Sequence, residues 1–142
     1  MGSFAHGKDA VFSIDDSGGT LRNVKASLNQ VSGLPGARAL SEVTAFGDQG
    51  TKSIPSLANV QFSLAGHFDS TATVGITTVL NGIRVATATS SFEYGPAGSA
   101  SGAMKVTGEC WVTELTYDAS VSDRVPFAGS FQVDGIPTLT TY

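Results

Sequence analysis

A period of two runs through this chain. Val60, Phe62, Leu64, Gly66 and Phe68 alternate with Asn59, Gln61, Ser63, Ala65 and His67. Met104, Val106, Gly108, Cys110 and Val112 alternate with Lys105, Thr107, Glu109, Trp111 and Thr113. Val125, Phe127, Gly129, Phe131 and Val133 lie opposite Ser130, Gln132 and Asp134. Successive side chains of a strand point to opposite faces, so each stretch has one face for a core and one for water. The wet faces are rich in Ser, Thr, Asn and Gln. Charged residues make up only 14% of the chain, against roughly 25% in ordinary soluble domains. The fold class that follows is mainly β: an antiparallel β-sandwich or open barrel with a broad, weakly charged polar surface.

The 142 residues are expected to form one domain, and a chain of that length buries about two thirds of its unfolded surface without staples. Residues 9–14 read as a first strand, Asp15, Asp16, Ser17, Gly18 and Gly19 as a hairpin turn, and 21–30 as the partner strand. Residues 59–68, 85–94, 104–118 and 124–134 follow as strands, with a glycine-rich tip at 95–102 and a turn at 120–123. Val79, Leu80 and Ile83 form a helical stripe within 73–84, a short helix whose β-branched residues need tertiary packing to persist. The stretch 32–58 breaks the rhythm with Gly33, Pro35, Gly36, Gly47, Gly50 and Pro55, around a short extended piece at 42–46. It is longer than ordinary loops. It also carries Leu40, Val43, Phe46, Ile54 and Leu57, more apolar anchors than disordered segments hold. Two readings stand: an ordered arm that packs on something beyond its own sheet, or an excursion folded over that sheet.

Little chemistry is encoded. Net charge is −4, and the eight basic residues are scattered singly, whereas phosphate affinity needs clustered Lys and Arg. Cys110 stands alone on an apolar strand face, which marks a buried structural thiol and excludes an intramolecular disulfide. His67 near Asp69 would be at most half of a catalytic dyad and reads as a solvated strand-end histidine. No Cys-x-x-Cys or His-Glu-x-x-His spacing occurs, so neither metal nor cofactor is expected. The acidic turn at 15–19 lacks the alternating ligands and closing Glu of a calcium loop, and no Lys-Ser or Lys-Thr follows the glycines of 95–102 to make a phosphate cradle. Glu109 and Glu114, five positions apart, should face opposite sides of their strand, which excludes a hydrolytic carboxylate pair. Trp111 on a polar face is either a stacking platform for a sugar or base or a contact with the helix or a neighbouring subunit. Segment 1–8 has no apolar core, so no secretory leader is expected, and no run reaches membrane-spanning length; folding in a cytoplasm is expected. An exposed, weakly charged strand surface invites edge pairing unless pairing is its purpose, which points to assembly.

Two pieces carry a family signal. Ser41-Glu42-Val43-Thr44-Ala45-Phe46-Gly47-Asp48 and Ile54-Pro55-Ser56-Leu57-Ala58-Asn59-Val60-Gln61-Phe62-Ser63-Leu64-Ala65-Gly66-His67-Phe68-Asp69 resemble the major tail tube proteins of long-tailed bacteriophages. Those proteins show a Glu-x-Thr-x-x-Gly-Asp piece, a Gly- or Pro-marked turn, and a strand ending in Gly-x-Phe-Asp. The order of elements fits over the whole chain. The resemblance implies a structural subunit rather than an enzyme: homo-hexameric rings stacked into a hollow tube in a virion tail, assembled in the host cytoplasm around a tape measure protein. Tail terminator and distal tail proteins would be further partners, DNA would pass through without specific binding, and no membrane would be involved. The arm would reach an adjacent ring or subunit through Leu40, Glu42, Val43, Phe46, Asp48, Lys52, Ile54 and Leu57, with Asp48 and Lys52 pairing across the contact. The lumen would be lined by Asn59, Gln61, Ser63, Thr87, Thr89, Ser91, Glu93, Lys105, Thr107, Glu109, Ser130, Gln132 and Asp134. Lys25 and Lys105 are the basic exceptions on otherwise acidic or neutral faces. The competing reading is a β-sandwich adhesin or carbohydrate binder using Trp111 or Tyr94. A small barrel enzyme or carrier is disfavoured because no titratable groups converge.

Overall fold

The alternating stretches build one antiparallel sheet in a computed structural model that describes residues 4–142. Its elements in chain order are β1 (Val11–Asp15), β2 (Leu21–Asn23), β3 (Leu28–Ser32), β4 (Arg38–Glu42), β5 (Ser53–Ala58), β6 (Gln61–His67), α1 (Ile76–Ile83), β7 (Ser90–Gly95), β8 (Met104–Tyr117), β9 (Pro126–Val133) and β10 (Thr138–Thr141). The strands lie in the order β2-β1-β7-β8-β9-β6-β3, with β10 also paired to β8, while β4 and β5 form a separate hairpin. Of the opening segment 1–8, residues 1–3 lie outside the described residues; Gly7–Asp9 is a 3-10 turn.

The sheet curls onto itself. Three strands separate β1 from β6 along it, yet the rings of Phe12 and Phe62 are 5.9 Å apart. Phe92 of β7 and Phe131 of β9 lie 4.9 and 4.8 Å from Phe62, so one row of aromatic rings fills the middle of an open barrel. α1 closes the remaining side with Ile76, Val79, Leu80 and Ile83 buried. The Thr77 hydroxyl donates to the Asp69 carbonyl at 2.6 Å and fixes the first turn to the end of β6. The helix is one to three residues shorter at each end than its sequence stripe suggests.

Three departures from the expected strands have physical causes. The single strand expected at 21–30 breaks at a 3-10 turn, Lys25–Ser27. Val24 and Ser27 are buried there, and the chain crosses from β1, the partner of β2, to β6, the partner of β3. The crossing needs Gly66: a Cβ on it would meet the Ser27 carbonyl oxygen and lie 2.9 Å from the Leu28 Cα. Second, the strand expected at 85–94 begins only at Ser90, because neither β1 nor β8 offers a backbone partner before that position. Third, a bulge in β8 between Val112 and Glu114 shifts the alternation. Val106 and Cys110 face the core before it, and Leu115 and Tyr117 pack against the core after it. Glu109 and Glu114 therefore share the outward face, contrary to the expectation from their spacing.

Candidate assembly surfaces

The polar face is continuous because cross-strand partners share it. Ser32 lies opposite Ser63, Ser63 opposite Ser130, and Ser130 opposite Glu114. Gln61 lies opposite Gln132, and Gln132 opposite Trp111. Glu109 is opposite Ser91, and Thr107 opposite Glu93. Several of these side chains bond to one another. Gln61 donates to Gln132 at 3.0 Å, Gln132 donates to Asn59 at 2.8 Å, the Ser32 and Ser63 hydroxyls are 2.8 Å apart, and Ser91 donates to Glu109 at 2.6 Å. Lys105 is matched by Glu93, with Nζ 3.5 Å from Oε1, and stands 4.9 Å from the centre of the Tyr142 ring. Lys25 sits in the 3-10 turn, off this face.

Nine of the residues assigned to a wall from sequence occupy strands of this face: Gln61, Ser63, Ser91, Glu93, Lys105, Thr107, Glu109, Ser130 and Gln132. Asn59 and Asp134 flank its strand ends; the Asp134 amide donates to the Glu109 carbonyl at 2.8 Å. Thr87 and Thr89 do not belong to it, since they lie in the bend before β7. Ser32 and Glu114 also belong to it, though the sequence does not place them there: Ser32 falls in the stretch 32–58 that breaks the alternation, and the one-residue bulge before Glu114 leaves no trace in composition. Trp111 is half-buried on the polar face, while Tyr94 packs inward with its ring 6.3 Å from that of Phe12. The two aromatics form no common platform.

The hairpin stands off the barrel. β4 is exposed throughout and β5 nearly so, and the two pack chiefly on each other. Leu40 is 64% exposed, Ile54 52% and Leu57 88%, and Phe46 is bare at the tip. The extended piece expected at 42–46 is the turn of this hairpin, and the strand lies earlier, at Arg38–Glu42. A small network shapes the tip. The Asp48 carboxylate accepts from the Ala45 amide at 2.7 Å and pairs with Lys52 at 2.9 Å. The Thr44 hydroxyl accepts from the Lys52 amide at 2.9 Å. The Ala45 amide first, then Lys52, holds the Asp48 carboxyl below its ordinary range. At the base, Gly33 has φ +100°, and a Cβ there would crowd the Gln61 carbonyl and the Phe62 Cα. The direction of the hairpin is thus set against the start of β6.

Two further carboxylates are tied into turns, and the thiol is buried. Asp16 accepts from the Thr20 and Gly18 amides at 3.0 and 2.9 Å and pairs with Arg22 at 2.9 Å. Its carboxyl is lowered by the Thr20 amide first, then by Arg22. Asp69 turns to Thr71 and Ser27, and His67 is exposed. Burial first, then the charges of Glu109 and Asp15, pushes the Cys110 thiol up to about 12. Among the described residues no helix is long and apolar enough to cross a membrane, and no three His, Cys, Asp or Glu side chains gather to hold a metal ion.

These features define an open antiparallel barrel with one self-bonded polar face and a projecting apolar hairpin. Solved tail assemblies contain chains of the same fold. A chain in the tail of an empty gene transfer agent particle, determined with C6 symmetry, is 17% identical with a TM-score of 0.72, covering 97% of this chain and all of that one. A chain of the SPP1 tail tube is 10% identical with a TM-score of 0.69, covering 98% and 81%. A chain in the extended sheath-tube complex of the extracellular contractile injection system PVC is 14% identical with a TM-score of 0.67, covering 98% and 93%. No protein-family model matches the chain, and no curated protein matches it in sequence.

Proposed function

We propose that this chain is the structural subunit of a tail tube, non-catalytic, whose copies close into hexameric rings that stack into a hollow conduit. The reading rests on the fold shared over nearly the whole chain with components of solved tails. Two features of this chain support it. Part of the polar face is bonded within itself, and Lys105 is neutralised by Glu93, so DNA sliding along it would meet no row of free cations. The hairpin keeps apolar side chains exposed on an element too small to be stable alone, which suits a contact made on assembly.

In this reading the polar face lines the lumen, the hairpin links subunits or rings, and the network of Asp48 and Lys52 shapes the tip within one subunit. A tape measure protein would occupy the growing tube, terminator and distal tail proteins would meet its ends, and DNA would pass without being bound. The location is a virion tail built in the host cytoplasm. Electron microscopy and sedimentation of the purified protein over rising concentration test this: rings of six and tubes are expected. A species that stays monomeric at every concentration would remove the reading.

A further inference from the structure

We propose that the groove between β3 and the segment leading into β1 is the seat for the hairpin of a second copy of this chain. The inference rests on the tube reading and deepens it by naming the receiving surface. The groove encloses 460 Å³ and is lined by Lys8, Val11, Lys25, Leu28, Val31 and Tyr94, among others. One wall is β3, which among the described residues pairs with β6 alone. Its other edge has unpaired backbone groups, the kind of edge to which a further strand adds.

The hairpin complements this groove in three ways. Among the described residues β4 pairs with β5 alone, so it too has an open edge, whereas β5 carries Pro55, which has no N–H to offer a further strand. Leu40 on β4 is exposed, and Leu28 and Val31 on the groove wall are only half-buried, so apolar surface is left uncovered on both sides. The charges also match. Lys8 and Lys25 make no ion pair among the described residues, and neither does Glu42 on β4, while Asp48 of the hairpin is already neutralised by Lys52. A hairpin seated with the Glu42 end of β4 towards Lys8 and Lys25 brings an acid without an ion pair to two bases without one, and leaves Arg38, likewise without an ion pair among the described residues, at the opposite end of β4. Groove and hairpin are different surfaces of one chain, so the contact is head-to-tail and propagates from copy to copy, as a ring or a stack requires.

The test uses the full chain. Glu42→Lys alone, and Lys8→Glu with Lys25→Glu, should each raise the concentration needed for tube formation by about tenfold or more, because like charges then face each other. All three changes together should restore it to within about threefold of the unaltered protein. All the altered side chains are exposed, so melting temperatures should not move. In parallel, Glu42→Cys and Lys25→Cys variants mixed under oxidising conditions should yield a disulfide-linked pair that neither gives alone, since the native Cys110 is buried. Unchanged tube formation in both reversals with no cross-link would overturn the seat and leave the tube reading standing. An unaltered protein that never assembles would overturn both.

Discussion

Phe62 holds the barrel together because it faces three other rings from three different strands. Phe12, Phe92 and Phe131 lie 5.9, 4.9 and 4.8 Å away, and Phe62 itself is 3% exposed. Its removal leaves a cavity that distant parts of the sheet cannot close together, since each ring is fixed by its own ladder. Phe62→Ala is therefore expected to cost about 4 kcal/mol, read as a shift in the urea midpoint at unchanged slope. Ser63, the next residue, points the other way and bonds Ser32 at 2.8 Å; Ser63→Ala should cost about 1 kcal/mol or less. Equal losses at the two positions would mean that the two faces are not distinguished as the burial pattern says. The same contrast explains the inert chemistry of Cys110: it lies in the core beside Phe92 and Val106 in the same cluster, and burial raises its thiol to about 12, far from the range in which a thiolate forms at neutral pH.

At the scale of elements, the sequence discloses what is periodic and hides what depends on a partner. Strands β6, β8 and β9 and the helix are legible because each buries a regular set, such as Phe62, Leu64 and Gly66 or Val79, Leu80 and Ile83. The polar face was legible by the same alternation. The bulge after Val112 was not, since one extra residue reverses the facing of Glu114 without altering composition. Nor was the break at Lys25–Ser27, which exists because β3 pairs across the barrel with β6 over a bare Gly66. β10 is not legible because four residues past Pro137 carry too little pattern; it forms because β8 extends beyond β9 and has an edge to share. The hairpin of β4 and β5 was legible as an anomaly, a long segment with too many apolar residues, but not as a strand pair. Its separation from the barrel yields a sharp expectation. Replacing 42–57 by a short glycine linker should leave the melting temperature within about 2 °C of the full chain, since only exposed surface is lost, and should abolish stacking in electron micrographs. Tubes formed by the deleted protein would take the hairpin out of the assembly.

For the molecule as a whole, three carboxylates brace turns and joints: two of them set the barrel's response to acid, and the third that of the hairpin. Asp16 closes the turn between β1 and β2, Asp69 ties the end of β6 to the approach of α1, and Asp48 shapes the hairpin tip. Each is held below its ordinary value of 3.8: Asp16 chiefly by the Thr20 amide, Asp69 by the Thr71 hydroxyl and amide, Asp48 by the Ala45 amide. A carboxyl whose folded value lies below its unfolded one binds fewer protons in the native state. Its contribution is present above 3.8 and is lost as the pH falls through the lowered folded value. Stability should therefore hold steady from neutral pH down to about 5 and decline only below about 4. General charge repulsion in acid would give a similar decline, so variants are needed to separate the two. Asp16→Asn and Asp69→Asn should each melt lower than the unaltered protein near pH 7, and the gap should close as the pH falls through the lowered folded values and the native carboxyls take up their protons. A gap that stays constant across this range would assign the loss to geometry rather than to charge. Because Asp48 braces only the hairpin, Asp48→Asn should leave the melting temperature untouched at every pH and weaken assembly instead, which separates the stability of the barrel from the shape of the contact it presents.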